Sequence, residues 1–388
     1  MNVLLCPLAD PGFRYPAIAV GLELRRRGHT VRMLDAAPDL ETPTPAELDP
    51  LAVADLADPR SFRVRRWFLH SHPQCQAVLH AARESRPDVL VTSMLCHGAL
   101  LAAELLDLPV VVLGLAAHLW PYRREGRQEE APVVQREWRL RETVAQYQQA
   151  RAACGLAPLD DRSAHRALAG SALLLRGDPL LEEEGAELPS GIRQIGPCWW
   201  EPPPPEQELA QLDAHTDRVG KPVVYVHLGR SFGGRSLWPR LNSIFRQGPY
   251  QAVVELGRSG AAQQEPGTDI VVVRKPWMAP LVQRSLSVLS NASSAGVLAA
   301  LLGDRPLVVA PAGGEQHVLA EACLRAGVAV RLPAAGGPNE LDPHDGWDAL
   351  RAAVDGPAVH RSVGVLGERL RQAKSEAVAA DAVEAAAR

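Results

Sequence analysis

Short apolar runs alternate with helix-patterned stretches along the whole chain, and four consecutive prolines divide that alternation into two series. In the first series Val3–Ala9 reads as a strand, Pro16–Arg27 carries Ile18, Leu22 and Leu24 at helical spacing, Gly28 ends it, and Thr30–Leu34 is strand-like again. The unit recurs as Val89–Thr92, a helix over Gly98–Leu106, and Val110–Leu113. Strands apolar on both faces and separated by helices admit essentially one solution, a parallel sheet covered on both sides by its crossovers. Residues 126–150 are polar with helical spacing and predict exposed helices over one end of that sheet.

The second series begins after CWWEPPPPE, residues 198–206. Four prolines fit neither a helix nor a central strand and make a stiff extended spacer. Strands follow at Pro222–His227, Gln251–Leu256, Asp269–Val273, Val288–Ser290 and Pro306–Ala310, then an Ala/Glu/Arg-rich helix after Pro357. The expected class is α/β, with two facing doubly wound Rossmann-like domains. Residues 1–200 form the first domain, 201–206 the linker and 207–370 the second, while a C-terminal helix over 371–388 packs back on the first. Ligands in such sheets lie off the carboxyl ends of the strands.

Several partners are excluded at this stage. A net charge of −4 and a pI near 6.3 provide no basic field for a nucleic acid. No apolar stretch reaches the roughly 18 residues a membrane span needs, which predicts a cytoplasmic protein. The six cysteines are scattered without CxxC spacing and read as reduced thiols. His70, His72 and Cys75 fall short of a zinc set, and a lone Gly12 with Asp35 does not make a dinucleotide fingerprint.

Three stretches at strand ends hold the polar chemistry. PAGGEQHVLAE (311–321) sets a carboxylate beside an amide, Glu315 and Gln316, at the start of a helix. Such a pair can accept from and donate to vicinal hydroxyls, or it can cap the helix. SNASSAG (290–296) joins a strand to a helix over Val297–Leu302, so its amides favour an anion. HLGRSFGG (227–234) offers small residues that let backbone approach phosphate, with Arg230 as a charge or as a solvated turn residue. Trp277, in PWMAP, presents an indole suited either to stacking on a base or to core packing.

Nearly the whole chain resembles the GT-B glycosyltransferases of the family-1, UDP-glycosyltransferase-like type that act on microbial natural products. The resemblance is carried by PAIAVGLELRRRGHTVRML (16–34), PDVLVTSMLCHGALLAAELLDLPVVVL (87–113), IGP (195–197) and above all the segment 276–332. It implies transfer of a sugar, with inversion and without a metal, from a nucleoside-diphosphate co-substrate to a small acceptor. The resemblance puts Trp277, Asn291, Glu315 and Gln316 at the donor; the chemistry of the residues themselves adds Arg230, Ser231, Ser293 and Ser294 there, and Phe13, Trp67 and Trp120 at the acceptor. Asn291 stands where the family has a histidine, and Ala299 where it commonly has a glutamate. The family's catalytic His and Asp fall on Phe13 and Ser93, so Asp10, His97 and His118 are the candidates for the base. A homodimer, a non-catalytic auxiliary role, and an epimerase or hydrolase activity stay open.

Overall fold

The computed structural model describes residues 1–35, 42–55, 58–64, 69–128, 133–229, 234–256, 261–333 and 342–388. The chain divides into two compact units, Met1–Trp200 with Ala373–Arg388, and Glu201–Gln372.

The first unit holds a seven-stranded sheet of β1 (Asn2–Cys6), β2 (Thr30–Asp35), β3 (Pro50–Ala52), β4 (Val89–Ser93), β5 (Val110–Leu113), β8 (Ala172–Leu175) and β10 (Ile192–Gln194). Their order is β10-β8-β5-β4-β1-β2-β3 with every pairing parallel. A small antiparallel sheet comprises β6 (Arg123–Arg124), β7 (Arg127–Gln128) and β9 (Ala186–Glu187). Period-2 alternation sends Leu4 and Cys6 to one core and Val3 and Leu5 to the other. Both faces are dry, which is why these strands read as unbroken apolar runs.

Helix α1 (Pro11–Arg26) starts five residues before the stretch expected from its apolar spacing. Asp10 sits in an extended conformation at the N-cap and Pro11 supplies the fixed φ of a first helical residue, so the helix is set by its cap and runs through Pro16. Helices α2 (Ser71–Ser85), α3 (His97–Leu106), α4 (Val133–Ala153) and α5 (Asp161–Ala169) follow. The expectation of an exposed helix over 126–150 needs correction, because α4 buries Val144, Tyr147, Ala150 and Arg151. Arg151 is buried by its bidentate pairing with Glu104 on α3, so a polar sequence conceals a packed face.

The second unit carries α6 (Glu206–Val219), β11 (Val223–His227), α7 (Gly234–Ile244), β12 (Gln251–Glu255), β13 (Ile270–Val273), α8 (Ala279–Gln283), β14 (Ser287–Ser290), α9 (Ser294–Leu302), β15 (Leu307–Val309), α10 (Gln316–Arg325), β16 (Ala329–Arg331), α11 (Pro343–Asp355) and α12 (Pro357–Gln372). Its parallel sheet runs β13-β12-β11-β14-β15-β16. The chain then re-enters the first unit as α13 (Ser375–Ala386), whose Ala379, Ala380, Ala382 and Val383 are buried in the core that includes Ile18 and Leu24 of α1.

Candidate functional site

Each sheet reverses its winding once, and such a switch point opens a crevice at the carboxyl ends of its strands. In the second unit the reversal lies between β11 and β14. Register sets Glu255, His227, Ser290 and Val309 in one row, the terminal residues of β12, β11, β14 and β15.

Beyond this row the chain turns through Ala292, which has φ of 61°, into α9. Asn291 is buried. Its Nδ2 donates to the Leu228 carbonyl at 2.8 Å and its Oδ1 accepts from the Ser293 amide at 3.2 Å, so the side chain ties the loop after β11 to the start of α9. Gly229, with φ of 65°, makes room for that contact, since a Cβ there would lie 2.4 Å from Asn291 Nδ2. The Ser293 hydroxyl is buried and has no hydrogen-bond partner among the described residues.

Glu315 and Gln316 meet this corner from the next loop. The Ser294 amide donates to Glu315 Oε1 at 2.7 Å, which puts a carboxylate on the first turn of α9, where the helix field favours negative charge. Gln316 Oε1 accepts from the amides of Ala312 at 2.8 Å and Gly313 at 3.1 Å, and its amide nitrogen makes no hydrogen bond among the described residues. Neither Glu315 nor Gln316 caps the first turn of α10, the alternative the sequence left open for the pair. Trp277 is only 2% exposed. Beside it the amides of Met278 and Ala279 donate to Glu201 at 2.8 and 3.0 Å. Burial pushes the Glu201 carboxyl up to about 7, with those amides opposing and Glu255 reinforcing the rise.

In the first unit the reversal lies between β1 and β4. Asp10 follows β1, and its carboxylate accepts from the Val64 amide at 2.7 Å. Ser93 closes β4, and its Oγ accepts from the Leu8 amide at 2.9 Å, so it fixes the loop that presents Asp10. Phe13 packs against the core on the α2 and α3 face. His97 and His118 are each 1% exposed. The His97 ring meets Tyr147 edge-on at 5.3 Å, while His118 packs against Trp120 at 5.8 Å and Trp120 against His165 at 5.2 Å. Burial drives both histidines down to about 3, with Arg136 and His165 adding to the effect at His118. Imidazoles so desolvated are poor proton acceptors near neutral pH. Trp67, Arg230 and Ser231 lie outside the described residues.

The structure also accounts for two motifs set aside earlier. Asp35 faces the buried Arg14 at 3.7 Å, a structural ion pair. His70 is the N-cap of α2 and Cys75 is buried in its body, and no group of three metal-ligating side chains occurs among the described residues. His227 and Glu255 were not singled out from the sequence. Their signal was available, since each is a titratable residue closing a strand whose interior is buried.

No protein-family model matches this sequence, and no curated protein matches it. Solved structures do. The glycosyltransferase of kitacinnamycin superposes with a TM-score of 0.70 at 18% identity, covering 99% of this chain and 98% of that one. The spinosyn forosaminyltransferase gives 0.69 at 15% identity over 100% and 99% of the two chains. The glycosyltransferase VinC in complex with dTDP gives 0.65 at 13% identity, again over 100% and 99%. The chain has the GT-B fold. In a GT-B chain the switch-point crevice of each unit is where ligands are sought, and here those crevices carry Asp10 in one unit and the His227, Asn291, Glu315 and Gln316 corner in the other.

Proposed function

We propose that this GT-B chain is a glycosyltransferase that moves a sugar from a nucleoside-diphosphate donor, held by the second unit, to a small natural-product-like acceptor, held by the first. The observation that carries the reading is the corner at α9. The buried Ser293 hydroxyl and the Gln316 amide, both beside the N-terminus of α9 at the end of one switch point, match an anion followed by hydroxyls. The full-length likeness to natural-product transferases, one of them with dTDP bound, supports it.

In the inverting reaction the acceptor oxygen attacks the anomeric carbon as the bond to the diphosphate oxygen breaks. The electron pair leaves with the diphosphate, where the positive end of α9 and the Ser293 and Ser294 hydroxyls stabilise the charge. The acceptor proton passes to Asp10, the one candidate base that keeps contact with solvent: its carboxylate is half-buried, whereas both histidines are sealed in the core. The donor sugar is recognised by Gln316 together with Glu315.

Calorimetric titration of a panel of nucleoside diphosphates and their sugars tests the donor half. Gln316→Ala should weaken a sugar nucleotide by roughly three- to tenfold and the free diphosphate far less, the scale of one lost hydrogen bond. Asp10→Asn should lower kcat by about a hundredfold or more in turnover assays on an aglycone panel, with donor affinity unchanged. Failure of every nucleotide sugar to bind would sink the reading in favour of a non-catalytic protein.

A further inference from the structure

His227 is 5% exposed and Glu255 2%, and the two side chains meet at the second unit's strand tips, with Nδ1 to Oε2 at 3.0 Å. Tyr225, two residues back on the same face of β11, sets its hydroxyl 3.4 Å from the same nitrogen. The ring is thereby fixed through Nδ1 alone. Nε2 makes no hydrogen bond among the described residues.

The opposite edge of the ring faces α9. A Cβ built on Gly296, third residue of that helix, would lie 2.7 Å from His227 Cδ2, the carbon bonded to Nε2, and 2.8 Å from Ser290 Oγ. The imidazole thus occupies the place a side chain at 296 would need, against the first turn of the helix. Asn291 is neutral and already bonded to the loop after β11, and the α9 side of the crevice carries the Glu315 carboxylate on the Ser294 amide, so neither supplies a cation.

We propose that His227, oriented by Glu255, carries the positive charge that holds the donor's diphosphate at the start of α9. The inference rests on the donor reading above and adds a charged group to it. With Nδ1–H donating to Glu255, a neutral ring offers Nε2 as an acceptor, which a phosphate oxygen repels. One added proton turns Nε2 into a charged donor, and a phosphate oxygen then accepts from it. Donor binding is therefore coupled to uptake of a proton from solvent and weakens as pH rises. The groups facing the ring are Glu255 from β12 and Tyr225 from β11, with Glu201 behind Glu255; Gly296 and Ser290 line its other edge, and the first turn of α9 carries the Glu315 carboxylate on the Ser294 amide.

UDP-glucose and dTDP-glucose are suitable probes, because their diesterified phosphates do not titrate near neutrality. Calorimetry of each in buffers of different ionisation enthalpy should show proton uptake on binding, and the affinity should fall with rising pH by up to about tenfold per unit. His227→Gln should lose the uptake and weaken binding roughly ten- to hundredfold with its Tm held close to wild type. If that variant does not fold, Glu255→Gln serves, and it should shift the pH profile of binding to lower pH by withdrawing the anion that favours the charged ring. Binding without proton uptake in the wild type, or uptake that survives His227→Gln, would overturn the role of His227 while leaving the donor reading intact. No binding by either probe or by any other nucleotide sugar would overturn both.

Discussion

Asn291 shows how one side chain serves structure at a position the family resemblance assigns to a ligand. Its amide joins Leu228 to Ser293, and no apolar replacement can satisfy that carbonyl and that N–H together. Asn291→Ala should cost about 1 to 3 kcal/mol, read as a lower denaturant midpoint at unchanged m-value. Gly229 should be as exacting, since a methyl group would meet the same amide at 2.4 Å in a left-handed backbone. The polar residues at 315 and 316 were legible as a pair, but their partners were not: which backbone N–H a carboxylate meets depends on the loop from another strand.

Elements were easiest to place where burial on both faces left no alternation to misread. Val110–Leu113 has the bounds its apolar run implied, and the strands at 251, 288 and 307 differ by a residue or so. β3, β8, β10 and β16 were missed, being three or four residues long and, in part, at sheet edges, where the hydrophobic signal is weakest. α13 is the element whose partner matters most. It docks Ala379, Ala380, Ala382 and Val383 into the core on the α1 face, and three of its groups accept from Arg27: the carboxylates of Asp381 and Glu384 and the Ala377 carbonyl. Ser375 and Glu376 also accept from the amides of Cys198 and Trp199. Deleting residues 373–388 should destabilise the first unit by about 3 kcal/mol or more, seen as faster protease cleavage within residues 1–200.

Across the whole molecule the two units should answer pH in opposite senses. His97 and His118 in the first unit sit near 3, well below the ordinary 6.5, so the stability they contribute is complete above pH 6.5 and lost as pH falls toward 3. Glu201 in the second unit is raised from 4.5 to about 7, so its contribution is complete below pH 4.5 and lost as pH rises through 7. Hydrogen exchange followed from pH 5 to 8 should show the second unit losing protection, by about 1 to 3 kcal/mol, and Glu201→Gln should flatten that slope. The first unit should gain protection between pH 5 and 6.5, a change His97→Leu should diminish. The sequence by itself determined the fold class and the approximate places of most strands, because parallel strands buried on both faces must be apolar and must be joined by helices. Tertiary structure alone decided that His97 and His118 are sealed in a core, that Glu315 lies on a neighbouring helix, and that Glu255 holds His227. Those outcomes depend on which strand tips become neighbours, and neighbours in a doubly wound sheet are set by crossover topology, far beyond the reach of local sequence.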